Sequence, residues 1–223
     1  MSDAARRNAA LLTGISAVVA FVALRSIVAI GGHEPLAIDV WWHDVMAAAS
    51  SDVGIVIAWV PAVVGGTLGM ILVGVALIVL LLRRDRRGDA ATLAIAMIAV
   101  VSLGATMAAV IGRTRPEDSL AESMATSFPS GHTAVATTVV VVLGIALRRR
   151  LVWVLGAIWV ITMMWSRTYL AAHWLSDVIA GMLEGIAVAT LVWVCAEAAR
   201  DRRAAHLSAT TPFPHPDESA TTP

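Results

Sequence analysis

The sequence predicts an all-α fold, a six-span transmembrane helix bundle with an interfacial helix in its first outer loop. Three observations predict this fold. Hydrophobic residues make up 58% of the 223 residues and charged residues only 14%, whereas a water-soluble domain carries roughly 25% charged residues. Six apolar segments approach the ~20 residues that a helix needs to cross a bilayer. Most of the arginines form clusters at the ends of these segments, and all of the clusters fall on one side of a six-span arrangement.

The six predicted spans follow one another with short connections. The second span has room to begin earlier, near Val53, in which case we expect a kink at Pro61. The fourth and fifth spans are short, and we expect them to extend into the polar motifs beside them. The predicted spans are Ala9–Ile30, Pro61–Leu82, Ala91–Ile111, Thr133–Leu147, Leu151–Met164 and Val178–Ala196.

Arginine placement predicts the orientation of the bundle. Clusters of arginine precede the first span and follow the second, fourth and sixth spans. The other side of the six-span arrangement carries only three single arginines. The positive-inside rule makes the clustered side cytoplasmic. We therefore expect a cytoplasmic N-terminus (residues 1–8), a transmembrane domain (residues 9–199) and a disordered, Pro-, Ser- and Thr-rich cytoplasmic tail (residues 200–223).

The first outer loop, Gly31 to Asp52, carries acidic residues and no arginine. Its stretch IDVWWHDVM places Trp41 and Trp42 where an interfacial helix would have them, although an ordinary surface loop remains an alternative. The single cysteine, Cys195, excludes an internal disulfide and a multi-cysteine metal site. The formal net charge of zero gives no argument for nucleic-acid binding.

Three arginines, Arg113, Arg115 and Arg167, stand on the outer side against the positive-inside trend. This placement predicts an anionic partner there. Inside the membrane, Arg25 and Glu184 each lie about six residues, or ~9 Å, below the outer interface. Because an isolated intramembrane charge is costly, we expect these two residues to pair.

The segment FPSGHT opens the fourth span. Ser130 fits the N-cap position, and the backbone N–H groups of the first turn, with a glycine at Gly131, suit a bound phosphate. His132 then lies beside that anion. Taken alone, the segment is equally well explained as a helix cap with an interfacial histidine.

The segment SRTYLAAHWLSD joins the last two spans. His173 and Asp177 are four residues apart, a spacing that puts them on one helix face if the segment is helical. A carboxylate that holds one imidazole nitrogen makes the other more nucleophilic. Arg167 is able to bind an anion with two N–H groups. The alternative is a capping aspartate beside a buried histidine. Together the outer segments supply the groups for phosphoryl transfer without a metal or cofactor.

The order R-P, then P-S-G-H, then S-R-x5-H-x3-D resembles the signature of the type 2 phosphatidic acid phosphatase (PAP2) and vanadium haloperoxidase superfamily, and the motif core covers residues 91–196. The resemblance implies that His173 is the nucleophile that forms phosphohistidine, that Asp177 orients it and that His132 is the general acid. It also implies that phosphate is bound by residues that match the motif, namely Arg115, Ser130, Gly131 and Arg167.

One position departs from the family pattern. The lysine that stands seven residues before the arginine of R-P is replaced by Ala108, and the chain has no lysine elsewhere. We expect Arg113, two residues from Arg115, to bind phosphate in its place.

These features predict a metal-independent phosphatase for a membrane lipid phosphate, with its active site on the extracytoplasmic side. Polyprenyl diphosphate, phosphatidic acid and phosphatidylglycerol phosphate all suit such a site. Two alternatives remain, a lipid phosphotransferase with the same residues and a catalytically weak lipid-binding or transport protein. A haloperoxidase is disfavoured because those relatives are soluble.

Overall fold

A computed structural model describes residues 2–121 and 126–210, and this part of the chain is helical with no strand. A single bridge between Thr114 and Thr126 is the β-type pairing found in it. The helices are α1 (Asp3–Ile30), α2 (Ala37–Ala48), α3 (Asp52–Val64), α4 (Thr67–Arg83), α5 (Arg87–Ile111), α6 (Gly131–Leu147), α7 (Arg150–Tyr169) and α8 (Leu175–Thr210).

In the described residues, four helices are long and apolar enough to cross a membrane, namely α1, α5, α7 and α8. The helices α3 and α4 pass the same test together but are bent by 51°, so they make a fifth span if counted as one. Helix α6 is apolar and has 17 residues, which is shorter than a full span. The all-α fold is as expected, and the count of six spans stays a prediction.

The break between α3 and α4 lies at Gly65 and Gly66, not at Pro61 as expected. Pro61 is inside α3, which continues through it to Val64. A Cβ atom at Gly65 would lie 2.1 Å from the Cε atom of Met163 in α7. The chain therefore bends at Gly65, because a residue without a side chain allows the backbone to pack closely against α7.

The stretch predicted as an interfacial helix is the helix α2, and its position at a membrane interface stays a prediction. Tyr169, at the end of α7, binds the turn that follows α2 and so joins that turn to α7. Its hydroxyl donates to the carbonyl of Ala49 at 2.9 Å and accepts from the N–H of Ser51 at 3.1 Å. A Cβ atom at Gly54 would collide with this hydroxyl, so glycine is needed there.

Helix α8 lies at the centre of the bundle, and α1 and α6 pack along it. It continues to Thr210, well beyond the predicted end of the span at Ala196. The prediction of a disordered tail is therefore wrong for residues 200–210, and residues 211–223 lie outside the described residues. At the other terminus, α1 begins at Asp3, so most of the predicted N-terminal segment is helical.

The expected pair of Arg25 and Glu184 does not form. Glu184 is 1% exposed, and neither carboxylate oxygen has a hydrogen-bond partner among the described residues. Its Oε1 atom lies 3.5 Å from the Cβ position of Gly104, so the side chain faces α5, whereas Arg25 belongs to α1. The side chain of Glu184 faces α5, a direction that spacing along separate helices does not reveal.

Candidate active site

The three polar segments meet at one end of the bundle. Residues 113–115 follow α5, residues 127–132 lead into α6, and residues 167–177 join α7 to α8. The arginine clusters that follow α4 and α6 lie at the opposite end of these helices. The candidate site therefore occupies the end that the arginine pattern predicts to be extracytoplasmic.

His173 lies in the tight turn between α7 and α8. The N–H groups of Ala172 and His173 both donate to the carbonyl of Arg167, at 3.0 and 3.2 Å. The Nδ1 atom of His173 is 2.7 Å from the carbonyl oxygen of Ser127. Because a carbonyl only accepts, Nδ1 carries the proton and Nε2 keeps the lone pair that a nucleophile needs.

Asp177 does not hold His173 in the way that the spacing predicts. His173 precedes α8, and its Nδ1 atom is 3.8 Å from Oδ2 of Asp177, beyond a normal hydrogen bond. Asp177 is in the first turn of α8, and Oδ2 accepts from the N–H of Trp174 at 2.9 Å. The carbonyl of Ser127 thus sets the tautomer, while Asp177 supplies negative charge nearby.

The surroundings of His173 favour a neutral imidazole. Burial lowers the pKa of His173 below its ordinary value, and the positive charges of Arg115 and Arg167 act in the same direction. The carboxylate of Asp177 opposes this shift but does not reverse it. A neutral imidazole is the form of histidine that attacks an electrophile.

Arg115 lies directly against the Nε2 atom of His173. Its Nη1 atom is 3.3 Å from Nε2 of His173 and also donates to the carbonyl of Ala172. Its Nη2 atom donates to the carbonyl of Thr126 at 2.7 Å. The side chain is half-buried. Its guanidinium is therefore fixed beside the position that a phosphoryl group attacked by His173 would take.

The start of α6 provides backbone donors beside this arginine and histidine. The N–H of Ser130 donates to the carbonyl of Asp177 at 3.0 Å, which holds the start of α6 against α8. A Cβ atom at Gly131 would meet no heavy atom within 4 Å, so the space in front of the first turn is open. The N–H groups of a first turn have no intrahelical partner and attract anions.

Arg167 and His132 complete the set of predicted residues. Arg167 is 1% exposed in the last turn of α7, close enough for its charge to affect His173. Beside it, the hydroxyl of Ser166 donates to the carbonyl of Ala58 at 2.6 Å and fixes α7 on α3. His132 is half-buried in the first turn of α6, and its Nε2 atom lies 3.9 Å from the Cβ position of Gly66 at the α3–α4 break.

Arg113 does not have the arrangement expected of a phosphate ligand. It is 0% exposed, and all five of its N–H donors are used within the protein. The guanidinium bridges two buried carboxylates, Asp39 at 2.7 Å and Asp177 at 2.6 Å. Ser176 and the carbonyls of His33 and Glu34 accept its other donors, so these contacts leave no donor for an anion. The expectation that Arg113 replaces the missing lysine is therefore corrected.

Sequence reasoning missed Ser127 and Asp39. Asp39 is 0% exposed and accepts from Arg113, from the N–H of Leu36 and from the N–H and hydroxyl of Ser176. Its partners are up to 137 residues away in the chain, so no local spacing signals them. Ser127 acts through its backbone carbonyl, a group that every residue type carries, so its identity gives no signal.

The described residues contain no group of three or more histidine, cysteine, aspartate or glutamate side chains placed to hold a metal ion. The positive groups around His173 are Arg115 and Arg167. Metal independence stays a prediction.

Comparison with known proteins adds to this geometry. The model of the PAP2 superfamily matches residues 89–201, which is just over half of the chain and contains every predicted site residue. The chain belongs to the PAP2 superfamily. The resemblance drawn from its motifs is thereby confirmed.

The PAP2 chain is also similar to individual proteins. It is 34% identical over 113 residues to the undecaprenyl-diphosphatase of Sulfolobus acidocaldarius, an alignment that covers 48% of this chain and 54% of the relative. The chain thus spans about half the length of this curated relative.

Two solved structures share the fold. A transmembrane PAP2-type phosphatidylglycerolphosphate phosphatase from Bacillus subtilis has a TM-score of 0.73 at 18% identity, over 83% of this chain and 96% of that one. LpxE from Aquifex aeolicus has a TM-score of 0.63 at 22% identity, over 71% and 96% of the two chains.

Proposed function

We propose that this PAP2 chain is a membrane lipid-phosphate phosphatase that hydrolyses a phosphomonoester or diphosphate of a lipid through a phosphohistidine intermediate. The observation that carries the proposal is the environment of His173. Its Nδ1 proton is held by the Ser127 carbonyl, which directs the Nε2 lone pair toward Arg115. A buried, neutral imidazole beside a fixed guanidinium suits attack on an anionic phosphoryl group.

The first step transfers the phosphoryl group to the enzyme. The Nε2 atom of His173 attacks phosphorus, an N–P bond forms, and the bond from phosphorus to the leaving oxygen breaks. His132 gives its proton to that oxygen, so the lipid leaves as an alcohol or as a lipid monophosphate. Arg115, Arg167 and the backbone N–H groups of the first turn of α6, beginning at Gly131, face the charge on the phosphoryl oxygens. The N–H of Ser130 holds this turn in place through its bond to the carbonyl of Asp177.

The second step releases phosphate. Water attacks the phosphorus of phosphohistidine while the now neutral His132 takes a proton from it. The N–P bond breaks, inorganic phosphate leaves, and His173 returns to its neutral form. The Asp177 carboxylate, 3.8 Å from Nδ1, stabilises positive charge that develops on the ring of His173 as the intermediate forms.

The names of the similar proteins support a lipid substrate. One acts on undecaprenyl diphosphate and another on phosphatidylglycerol phosphate. The apolar helices around the site suit such substrates, because a lipid keeps its chains in the bilayer while its phosphate reaches the bundle end. We propose polyprenyl diphosphate, phosphatidic acid or phosphatidylglycerol phosphate as the substrate, with the active site on the extracytoplasmic side.

The test is phosphate release from short-chain forms of these three lipids by the purified protein in EDTA. We expect release from at least one lipid, loss of more than a hundredfold in His173→Ala, and unchanged activity in His206→Ala, whose histidine is near the far end of α8. Activity that disappears in EDTA and returns with magnesium would contradict the metal-free mechanism. Absence of release from every lipid phosphate would contradict the proposed function.

A further inference from the structure

A cavity lies at the opposite end of the bundle from His173. Its volume is about 520 Å³, within the ~300–1,000 Å³ that is usual for small-molecule sites. Residues of α1, α6 and α8 line it, with Trp153 of α7, and α1 and α6 both pack against α8. Thr190, one of the α8 residues that line it, is 13 residues beyond Asp177 and so about 20 Å from it along α8. The cavity is therefore separate from the candidate active site.

The interior of this cavity is apolar and its mouth is basic. Ala10, Val141, Ile145 and Ile186 are among the residues that line the interior. Arg6 and Arg148 also line it and lie at the end of the bundle that carries the arginine clusters. From Val141 to Arg148 the α6 wall is about 10 Å long. An apolar channel with cations at one end matches an amphiphile with an anionic head.

The two arginines differ in their present contacts. Arg148 is exposed at the C-terminal end of α6. Arg6, whose side chain is 19% exposed, pairs with Asp3, whose side chain is 91% exposed and so open to water. An exposed ion pair contributes little free energy, so a phosphate is able to compete with Asp3 for Arg6. Trp153 and Trp193 also line the cavity, and tryptophan is a residue that membrane–water interfaces favour.

We propose that this cavity binds one anionic phosphodiester lipid of the leaflet at the arginine-rich end, with its phosphate between Arg6 and Arg148 and the upper part of an acyl chain inside. The charge of the mouth favours an anionic head over a zwitterionic one. A lipid bound here fills the groove that α1 and α6 leave over α8, and so stabilises the packing of the three helices.

The test is native mass spectrometry of the detergent-purified chain with phosphatidylglycerol or phosphatidylcholine of matched acyl chains. We expect phosphatidylglycerol to be retained roughly tenfold better, and Arg6→Gln combined with Arg148→Gln to reduce its retention to that of phosphatidylcholine. The control, Arg83→Gln with Arg84→Gln, removes the same charge outside the cavity and should retain the lipid. Ala10→Trp fills the cavity while keeping both arginines, and should also lose the lipid.

Three results would overturn the proposal. The first is equal retention of the two lipids, and the second is full retention in the arginine pair or in Ala10→Trp. The third is evidence that another occupant fills the cavity. A gain in lipid binding when residues 211–223 are removed would mean that the C-terminal residues of the chain occupy it, and a dimer that Ala10→Trp dissociates would mean that a second copy does. Phosphatidylglycerol carries no phosphomonoester, and binding is read without turnover, so failure here leaves the proposed phosphatase activity untouched.

Discussion

At the scale of the residue, Arg113 holds the site end of the bundle together. It joins Asp39 of α2 to Asp177 of α8 inside a volume closed to solvent. Removing one member of such a network leaves buried charges without partners, which costs far more than the loss of an exposed pair. The role of this arginine is therefore to position Asp177 and the start of α8.

We expect Arg113→Ala to destabilise the protein by about 3–5 kcal/mol, because Asp39 and Asp177 would remain buried and unpaired. Thermal denaturation in detergent measures this change. The matched control is Arg115→Ala, which removes a half-buried arginine two residues away and should reduce turnover with little effect on stability. If Arg113→Ala weakens phosphate binding but leaves the protein stable, Arg113 is a phosphate ligand and the structural role assigned to it here is wrong.

The same residues show what spacing along the chain reveals. Arg167, His173 and Asp177 are found because their short spacing matches one motif, and His132 because it ends the P-S-G-H motif. The roles of Arg113 and Asp39 depend on a contact between residues 74 apart, which only the folded chain brings together. Ala108 likewise marks a missing cation, but the sequence does not say which group compensates for it.

In the proposed mechanism, the pH dependence of activity follows from the protonation state of His173. Its pKa is lowered, so the neutral nucleophile persists below the ordinary value of 6.5 and is lost only when pH falls through the lowered pKa. We expect the acid limb of kcat/KM below pH 6.5. Arg115→Ala removes one of the charges that lower this pKa and should move the limb to higher pH. A limb at or above 6.5 in the wild type, or no movement in the variant, would contradict this assignment.

At the scale of the element, close contact between α6 and α8 determines where the turn proposed to bind phosphate lies. A Cβ atom at Gly181 would lie 2.4 Å from the carbonyl oxygen of Ser130, and one at Gly185 would lie 2.5 Å from that of Ala134. Backbone atoms cannot give way as a flexible side chain does. These two glycines therefore hold the N-terminus of α6 at its present distance from His173.

We expect Gly181→Ala to reduce kcat/KM by at least tenfold, because the added methyl group pushes Ser130 and Gly131 away from α8. The control is Gly104→Ala in α5, where the new Cβ atom would lie 3.5 Å from its nearest neighbour, an ordinary contact. That variant should keep activity, since alanine favours a helix over glycine. Normal turnover in Gly181→Ala would mean that the turn is not fixed by α8.

The helices could be predicted from the sequence, because a run of ~20 apolar residues in a bilayer satisfies its backbone hydrogen bonds by forming a helix. Their breaks were harder. Proline at position 61 indicated a kink, yet the chain bends at Gly65, where contact with Met163 requires a residue without a side chain. The helical extension of α8 to Thr210 was missed because these polar residues lack the apolar pattern that marks a span.

At the scale of the whole molecule, the phosphatase proposal requires that the two ends of the bundle face opposite sides of the membrane. The arginine clusters define one end, and His173 lies at the other. The exposed surface between the ends is apolar, as on α3 and α4, where Val56, Val60, Leu68 and Leu72 are each more than 60% exposed. Such a surface suits contact with lipid chains.

This orientation predicts the accessibility of single cysteines in a Cys195→Ser background. We expect Ser208→Cys, near the end of α8, to react with a membrane-impermeant reagent only after the membrane is opened. Glu117→Cys, an exposed position in the loop before α6, should react in intact cells. Reaction of both cysteines from the same side would contradict the orientation and with it an active site on the extracytoplasmic side.

The central claim is that His173 becomes phosphorylated during turnover. The most direct test is to mix the protein with a ³²P-labelled aryl phosphate, quench the reaction rapidly without acid, and measure the label bound to the protein. An aryl leaving group needs little protonation, so the label should form in the wild type and in His132→Ala, and should be acid-labile. It should be absent from His173→Ala. Label that persists in His173→Ala, or that maps to His132 in the wild type, would contradict the account.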